Sequence, residues 1–305
     1  MPFTASPFRY PGGKTQLYNF VEHLLELNDV DGTYVEPFAG GAGLPIKLLL
    51  ENKVHDVWIN DYDEAIYSVW FSILNKHDEL IKMIKTVPFD YHGGHEYSPK
   101  KSIDFWHHQK SVYSAKKDEH NENSVELAFA TLFLNRTNRS GIINGGPIGG
   151  FDQSSATQIY ARFNKQTLIN KINAIYTLQA RIRLTRLDAL EMSTMLNQDL
   201  DVSNSFVFFD PPYYEQGKNL YFSSFDEVGH SKLATKIMQL NQLNWITTYD
   251  KAPQISDLYS RNSKNFEYDI RYSANNKKRG KAPELMFASP SIKIESFDSV
   301  NLSAI

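Results

Sequence analysis

The stretch FVFFDPPYYEQG, residues 206–217, restricts the local fold more than any other part of the chain. Its apolar start fits a buried strand, and Asp210 ends that strand. Pro211 and Pro212 then remove two backbone donors, so neither a helix nor a sheet ladder can continue. Pro212 also biases Pro211 toward an extended conformation, which can turn its carbonyl outward. We therefore expect a stiff turn that presents a carboxylate and a carbonyl oxygen side by side.

Strands and helices alternate on both sides of this turn. The segment TYVE is followed by glycines, the helix LPIKLLLEN and a second strand, DVWIND, which together open a βαβ unit. Later strands are predicted at RIRLTRLDAL, FVFFD, NWITTYD, EYDIRYSA and ELMFASP, and the helices KQTLINKINAIYTLQA and HSKLATKIMQLN separate the earlier ones. The pattern predicts an α/β fold, with a mostly parallel sheet covered by helices on both faces and an antiparallel hairpin at one edge.

Residues 63–170 break this alternation. Two segments, DFWHHQKSVYSAKK and SVELAFATLFLN, have helical character, and Ser124 is a suitable N-cap for the second. Polar, glycine-rich loops lie around them, and INGGPIGG contains an Asn-Gly step that is typical of a hairpin. We predict one domain from residues 1–62 and 171–305, with residues 63–170 as an inserted, mainly helical subdomain.

The composition excludes several kinds of protein. The 305-residue chain contains no cysteine, so disulfides, thiolate metal sites and cysteine nucleophiles are excluded, and a reducing cytoplasm is the expected compartment. The N-terminus lacks the layout of a signal peptide, and no apolar run approaches the roughly 20 residues of a membrane helix. His107 and His108 are adjacent rather than four residues apart, so no metal site is predicted. We expect a soluble protein without a metal.

The glycine-rich turn EPFAGGAG, residues 36–43, does not fit either of two common nucleotide motifs. A dinucleotide site would need a glycine or alanine at position 46, which is Ile46. The second candidate, PGGKTQ, would need a glycine at position 8 to form a phosphate-binding P-loop, and this residue is Phe8. Both motifs therefore fail.

A ribose-bearing ligand without a phosphate fits this turn better. Asp61 ends the second strand, where an acid suits ribose hydroxyls. S-adenosylmethionine is such a ligand, and Phe38 and Tyr10 could offer aromatic faces to its sulfonium, an attraction of about 1–2 kcal/mol when desolvated. Glu36 and Gly40 belong to the same predicted site. A plain tight turn before a helix remains the alternative.

The residues after FVFF match the needs of an exocyclic amine on a flat base. Acceptors on both N–H groups of an adenine amine favour a more tetrahedral nitrogen and stabilise the positive charge that develops during attack. Tyr213 offers a stacking face, which offsets part of the few kcal/mol lost when a base leaves the duplex. Asp210, Pro211, Pro212 and Tyr213 are therefore candidate catalytic residues. Taken alone, the motif also fits a rigid turn with a capping acid.

Five motifs together resemble one enzyme family. FRYPGGKTQL, YVEPFAGGAG, INDYD, DPPYY and ITTYD are similar to the motifs of the alpha-class adenine-N6 DNA methyltransferases, the group that contains DNA adenine methylase. They occur in that family's order, and the resemblance spans nearly the whole chain. It implies a Rossmann-like, S-adenosylmethionine-dependent catalytic domain, an inserted DNA-recognition subdomain with a β-hairpin, and methyl transfer to a flipped-out adenine in duplex DNA.

The resemblance also assigns roles to individual residues. Asp210 to Tyr213 match the catalytic motif. The expected cofactor-binding residues are Tyr10, Lys14, Glu36, Phe38, Gly40, Asp61, Asp188 and Asp210. The expected DNA-binding residues are Arg136, Asn138 and Arg139, together with Lys277, Lys278 and Arg279 in a basic segment suited to phosphate contacts.

The chain departs from the family pattern at a few positions. Ala42 replaces a glycine that many members carry. Arg139 and Ser140 stand where GATC-methylating members have an aromatic residue and an asparagine, so the target sequence is left open. The resemblance implies double-stranded DNA as partner and a cognate restriction endonuclease as a candidate partner; we also expect a monomer, and no membrane association because no apolar run is long enough. Two alternatives remain, an inactive DNA-binding module and an RNA adenine methyltransferase.

Overall fold

The computed structural model describes residues 5–9, 14–93, 96–214, 226–270 and 283–305. Four residues with predicted binding roles lie outside the described residues: Tyr10, Lys277, Lys278 and Arg279. The chain divides into two compact units. The first unit comprises Met1–Gly13, Gly40–Leu50 and Asp63–Arg186, and the second comprises Lys14–Ala39, Glu51–Tyr62 and Leu187–Ile305.

The helices and strands of the described residues are numbered in chain order. The α-helices are α1 (Tyr18–Leu27), α2 (Gly43–Leu50), α3 (Glu64–Asn75), α4 (His77–Thr86), α5 (Pro99–Asp118), α6 (Val125–Thr137), α7 (Lys165–Tyr176), α8 (Ala189–Asp199), α9 (Glu227–Met238) and α10 (Pro253–Tyr259). The strands are β1 (Thr33–Glu36), β2 (Asp56–Asn60), β3 (Ile182–Thr185), β4 (Ser205–Phe209), β5 (Asn244–Tyr249), β6 (Lys264–Ile270), β7 (Glu284–Ala288) and β8 (Val300–Ala304).

The first unit is mainly helical and is built around α6. Only Glu126 and Arg136 of this helix are not buried, because α3, α4 and α5 pack around it. The Ser124 side chain accepts a hydrogen bond from the backbone N–H of Leu127 at 3.1 Å, which confirms the predicted N-cap. Residues 63–170, the predicted insert, lie within this unit, which also contains residues 1–13, 40–50 and 171–186.

The second unit contains a sheet with the strand order β2-β1-β4-β5-β7-β6-β8. Neighbours from β2 to β5 are parallel, and β7, β6 and β8 continue the sheet with antiparallel pairings. The register aligns Val35 of β1 with Val207 of β4, and Val207 with Trp245 of β5. The predicted α/β class, with parallel central strands and an antiparallel β6–β7 pair, is confirmed.

The apolar run before Asp210 forms the centre of this sheet. The four side chains from Phe206 to Phe209 are each at most 1% exposed, and α8 and α9 contribute apolar side chains to the core around two of them, Val207 and Phe209. Strands buried on both faces read as continuous apolar runs rather than alternating ones. This burial explains why FVFF carries no polar residue.

The structure differs from the sequence-based prediction in three elements. The segment RIRLTRLDAL is a strand only over β3, because Asp188 accepts a hydrogen bond from the backbone N–H of Leu190 at 2.8 Å and so begins α8. In the segment INGGPIGG, Pro147 forms one antiparallel bridge with the earlier residue Asn138, and the segment is not a regular hairpin. Strand β8 had not been anticipated, and it pairs with β6. No helix of the described residues is long and apolar enough to span a bilayer.

Candidate active site

Acidic side chains are placed at the carboxyl ends of three neighbouring strands in the second unit. Glu36 is the last residue of β1, Asp61 directly follows β2, and Asp210 directly follows β4. These strands are adjacent and parallel, so their ends lie at one edge of the sheet. Open α/β sheets bind ligands at this edge. The topology therefore brings together three of the predicted site residues.

Asp210 is held through one of its two carboxylate oxygens. The Lys14 ammonium lies 3.2 Å from Oδ1, and the Thr248 hydroxyl donates a hydrogen bond to the same oxygen at 2.8 Å. Within the described residues, Oδ2 has no hydrogen-bond partner, and the side chain is 26% exposed. Burial raises the pKa of Asp210, while Lys14 and Thr248 oppose this rise by stabilising the carboxylate. Oδ1 is therefore the carboxylate oxygen that Lys14 and Thr248 hold in place.

Tyr213 is anchored at its hydroxyl group. The hydroxyl donates a hydrogen bond to Glu284 Oε2 at 2.7 Å and accepts one from the Lys14 ammonium. The ammonium also lies 4.6 Å from the centroid of the Tyr213 ring. Tyr268, which is 2% exposed, donates its hydroxyl to the same oxygen of Glu284. One network therefore links the acid and the tyrosine of the D-P-P-Y motif through Lys14.

Glu36 is buried, so its side chain is not open to solvent as that of an exposed ligand-binding residue would be. Its side chain accepts a hydrogen bond from the Tyr34 hydroxyl at 3.1 Å, and the residue is 8% exposed. Burial raises the pKa of Glu36 well above its ordinary value. The hydrogen bond from Tyr34 opposes this rise, and the negative charge of Asp210 adds to it. Burial thus raises the pKa of both Glu36 and Asp210, and Lys14 opposes this rise at Asp210.

Asn60 ties together the loops that carry the predicted cofactor residues. Its side-chain amide donates hydrogen bonds to the carbonyls of Pro37 and Leu187, both at 3.0 Å. Its side-chain oxygen accepts from the backbone N–H of Leu187 at 2.8 Å, and its backbone oxygen accepts from Ala39 at 2.9 Å. The chain before Asp188 is thereby fixed beside the turn that follows β1. Sequence reasoning missed this residue, although a polar side chain at the end of an apolar strand was a usable signal.

Two further predicted cofactor residues, Phe38 and Gly40, belong to different units. Phe38, in the second unit, is partly buried against the core cluster that includes Val35 and Trp58. Gly40, in the first unit, adopts a φ of +47°, and its carbonyl accepts a hydrogen bond from the Trp70 indole at 2.9 Å. A positive φ is readily adopted by glycine, which explains its place in this turn.

The acidic side chains at the sheet edge fit S-adenosylmethionine. Carboxylates accept hydrogen bonds from ribose hydroxyls and stabilise a positive charge, and both Asp61 and Asp210 are placed there. A phosphate would instead need cationic or N–H donors, and Lys14 is already engaged by Asp210 and Tyr213. No group of three or more His, Asp or Glu side chains in the described parts of the chain could hold a metal ion.

The predicted DNA-binding residues of the first unit have different environments. Arg139 is exposed. Asn138 is fully buried, and its amide donates to the carbonyls of Ile142, Ile143 and Gly145 at 2.9–3.0 Å. Its side-chain oxygen accepts from the Trp106 indole at 2.7 Å. The predicted direct contact of Asn138 with DNA is therefore not supported, because all its polar atoms are used to shape the loop.

Arg136 belongs to a cluster of cations that sequence reasoning had only partly identified. The Arg9 guanidinium donates to the Arg136 carbonyl at 3.5 Å, and the Arg136 guanidinium donates to the Arg162 carbonyl, with Nε at 2.9 Å. Burial, with Arg9 and Arg162 nearby, lowers the pKa of Arg136 to about 10. Burial and the charge of Arg136 lower the pKa of Lys171 to about 8. In the described residues, no carboxylate pairs with Arg9, Arg136 or Arg162.

Known proteins match this chain in sequence over most of its length. The profile of the family described as "D12 class N6 adenine-specific DNA methyltransferase" matches residues 10–274. The type II methyltransferase M.MjaIII of Methanocaldococcus jannaschii is 25% identical over 225 residues, which are 72% of this chain and 73% of that protein. The type II methyltransferase M1.LlaDCHI of Lactococcus lactis subsp. cremoris is 24% identical over 234 residues, which are 75% of this chain and 72% of that protein.

A solved structure also aligns with the chain. The rRNA methyltransferase AviRa from Streptomyces viridochromogenes covers 92% of this chain and 86% of its own, with 12% identity and a TM-score of 0.38. This TM-score is too low to support a conclusion, so the assignment depends on the family match. That match confirms the predicted family, the enzyme class and S-adenosylmethionine as cofactor. The chain therefore belongs to the D12 class of N6 adenine-specific DNA methyltransferases.

Proposed function

We propose that this enzyme methylates an adenine extruded from double-stranded DNA and that Asp210 binds the amine of this base. The observation that carries the proposal is the asymmetry of the Asp210 carboxylate. Lys14 and Thr248 both contact Oδ1, whereas Oδ2 has no hydrogen-bond partner within the described residues. An acceptor that is fixed at one oxygen and open at the other suits an N–H donor of a ligand.

The side chains around Asp210 provide the chemistry on the side of the base. Bound S-adenosylmethionine supplies an electrophilic methyl group on a positively charged sulfur. Asp210 Oδ2 and the carbonyl of Pro211 accept the two N–H groups of the adenine amine and stabilise the positive charge that forms on its nitrogen. Lys14 opposes the rise in the pKa of Asp210 that burial causes. Tyr213 stacks on the extruded base and fixes its plane.

The cofactor is proposed to bind at the same sheet edge. Asp61 accepts the ribose hydroxyls, and Asp188 lies beside the adenine of the cofactor, where Asn60 holds the preceding residue. Phe38 provides an aromatic face, and Lys14 and Asp210 complete the pocket next to the methyl group; Tyr10 is proposed as a second aromatic face from the sequence alone. Glu36 and Gly40 are proposed to shape the turn after β1 and not to contact the ligand through a side chain.

The first unit is proposed to bind the DNA backbone. Arg9, Arg136, Arg162 and Lys171 form a cationic cluster, in which burial and neighbouring positive charges lower the pKa of Arg9, Arg136 and Lys171. An anion would relieve this mutual repulsion, and phosphates are the anions that duplex DNA presents. Arg139 is exposed and follows Arg136 by three positions in the sequence. It is the proposed base-reading residue of the recognition loop. Residues 63–170 are accordingly proposed as the target-recognition subdomain.

The wider biological setting is also a proposal. Both relatives are named type II methyltransferases, which supports a modification enzyme with a cognate restriction endonuclease. We propose a monomer that acts in the cytoplasm, because neither the site network nor the sheet edge requires a second copy of the chain. Sequencing that maps modified adenines in DNA from cells expressing the protein would identify the target sequence.

A labelling experiment tests the role of Asp210. Unmethylated duplex DNA is incubated with the protein and S-adenosylmethionine that carries tritium in its methyl group, and the labelled nucleoside is identified. We expect N6-methyladenine from the wild type, none from Asp210→Ala, and unchanged DNA affinity in both. Asp257→Ala, which changes an exposed acid on α10, is the control and should retain full activity. Full labelling by Asp210→Ala, or preference for single-stranded RNA over duplex DNA, would contradict the proposal.

A further inference from the structure

We propose that Glu284 is a positioning residue for methyl transfer, and that it acts by fixing the orientation of the Tyr213 ring. This inference rests on the proposed role of Tyr213 as the stacking partner of the extruded adenine. Within the described residues, both hydrogen-bond partners of the Tyr213 hydroxyl, Lys14 and Glu284, lie outside the D-P-P-Y motif. The restraint comes from a residue more than 70 positions later in the chain, which accepts the Tyr213 hydroxyl at 2.7 Å.

Glu284 reaches the active-site edge because its strand runs in the opposite direction to the central strands. It is the first residue of β7, and β7 pairs antiparallel with β5, with Leu285 opposite Tyr249. The beginning of an antiparallel strand lies at the same edge as the ends of its parallel neighbours. The carboxylate of Glu284 is thus delivered to the edge that carries Asp210.

Three groups converge on the Glu284 carboxylate, and together they make it a rigid anchor. Tyr213 and Tyr268 both donate their hydroxyls to Oε2, and the Lys14 ammonium lies 3.8 Å from the same oxygen. Tyr268 lies opposite Glu284 in the β6–β7 pair, so its hydroxyl reaches the acid from the neighbouring strand. The Glu284 side chain is only 19% exposed, which limits competition from water.

The anchored hydroxyl leaves Tyr213 little freedom. It donates to Glu284 and accepts from Lys14, so both its proton and one lone pair are engaged. The phenolic O–H and the acceptor lone pair both prefer the plane of the ring, so two fixed partners at the hydroxyl favour one orientation of that plane toward a stacked base. Misplacement of a reacting group by about 1 Å can cost up to about 100-fold in rate, so this restraint is large enough to matter.

The proposal predicts that losing Glu284 and losing the Tyr213 hydroxyl have the same consequence. Methyl transfer is measured in a single turnover on unmethylated duplex DNA several kilobases long, with labelled S-adenosylmethionine. We expect Glu284→Ala and Tyr213→Phe each to slow transfer about 10- to 100-fold, with unchanged affinity for S-adenosylmethionine. The double variant should be no slower than the slower single variant, because the two changes break one interaction. Losses that multiply in the double variant would overturn the proposal.

Milder variants cover the case in which Glu284→Ala fails to fold. Glu284→Gln keeps the shape of the side chain but weakens its acceptor, and Tyr268→Phe removes one of the donors that hold it, so both should slow transfer less than Glu284→Ala. Glu267→Gln, on the neighbouring strand β6, is the matched control and should change nothing at the site, because Glu267 pairs with Lys251. A full rate in Glu284→Gln and Tyr268→Phe together would also overturn the proposal.

A measurement without turnover separates this inference from the proposed function. With 3-fluorotyrosine incorporated at position 213, the fluorine resonance of the wild type should report one fixed ring environment. Glu284→Ala should shift or broaden this resonance, and Glu267→Gln should not. An unchanged resonance in Glu284→Ala would refute the anchoring even if the enzyme methylates DNA. A shifted resonance in a protein that transfers no methyl group would instead refute the proposed function and leave the anchoring correct.

Discussion

Replacing Thr248 by valine should impair the enzyme, although Thr248 itself is not proposed to contact a ligand. Thr248 is fully buried on β5, and its hydroxyl donates to Asp210 Oδ1 at 2.8 Å. Valine has nearly the same shape, so the packing of the strand is preserved while the donor is lost. Among the described residues, Lys14 then remains as the partner of Oδ1.

The size of the effect follows from the charge on the acceptor. A hydrogen bond to a charged group contributes about 1.5–3 kcal/mol. If this energy holds the carboxylate in its reactive orientation and protonation state, its loss lowers kcat/KM about 10- to 150-fold, at about 1.36 kcal/mol for each tenfold change.

The pH dependence gives a second readout with a definite sign. The Thr248 hydrogen bond lowers the pKa of Asp210, so its removal raises that pKa further above the ordinary value. The reactive form is the carboxylate, which is lost as the pH falls. The acidic limb of kcat/KM should therefore move to higher pH in Thr248→Val.

The adjacent threonine provides the control. Thr247 is equally buried, but side chains alternate along a strand, so it points to the other face of the sheet from Thr248. Thr247→Val should leave the acidic limb in place. An unchanged profile and rate in Thr248→Val would show that the hydroxyl does not support Asp210, and the reasoning would fail.

Three further predictions concern the cofactor loops, the first unit and the DNA. Asn60→Ala removes the partner of the buried Pro37 carbonyl and of part-buried groups of Leu187, at up to about 1–3 kcal/mol per group, so S-adenosylhomocysteine should bind more weakly in isothermal titration calorimetry; equal affinity would show that Asn60 does not hold the cofactor loops. Gly141→Ala places a methyl group against a backbone carbonyl at a φ of +79°, so urea should unfold it more easily by about 1–3 kcal/mol, whereas Gly146→Ala, where the methyl meets open space, should not. Neutralising the basic segment 277–279 should weaken binding to all DNA sequences and reduce the salt dependence by about 0.9 per lost phosphate contact, and a loss confined to one sequence would exclude phosphate contacts.

Local chemistry made several parts of the molecule predictable from sequence. Pro211 and Pro212 end β4 whatever surrounds them, because the missing N–H groups are a property of the residues themselves. Ser124 caps α6 because its side chain reaches a backbone N–H only three residues away. The parallel order of β1, β2 and β4 follows from the alternation of strands and helices. For the same reason, the acids after these strands could be placed at one edge.

Interactions between distant segments could not be predicted in this way. The sequence did not indicate that Asn138 would be buried, because a polar residue in a glycine-rich loop reads as exposed until the carbonyls that surround it are known. A search for acids at the ends of parallel strands overlooks Glu284, which comes at the beginning of an antiparallel one. The partner of Asp210 on β5, Thr248, depends on the register between neighbouring strands.

The sequence by itself therefore determined the family, the candidate catalytic residues and the turn that presents them, because backbone stiffness and side-chain type act over a few bonds. The tertiary structure alone decided which groups hold those residues in place. Hydrogen bonds such as those of Thr248 to Asp210 and Glu284 to Tyr213 join segments that are far apart in the chain. Their geometry depends on the direction and register of strands, which emerge only when the whole sheet is assembled.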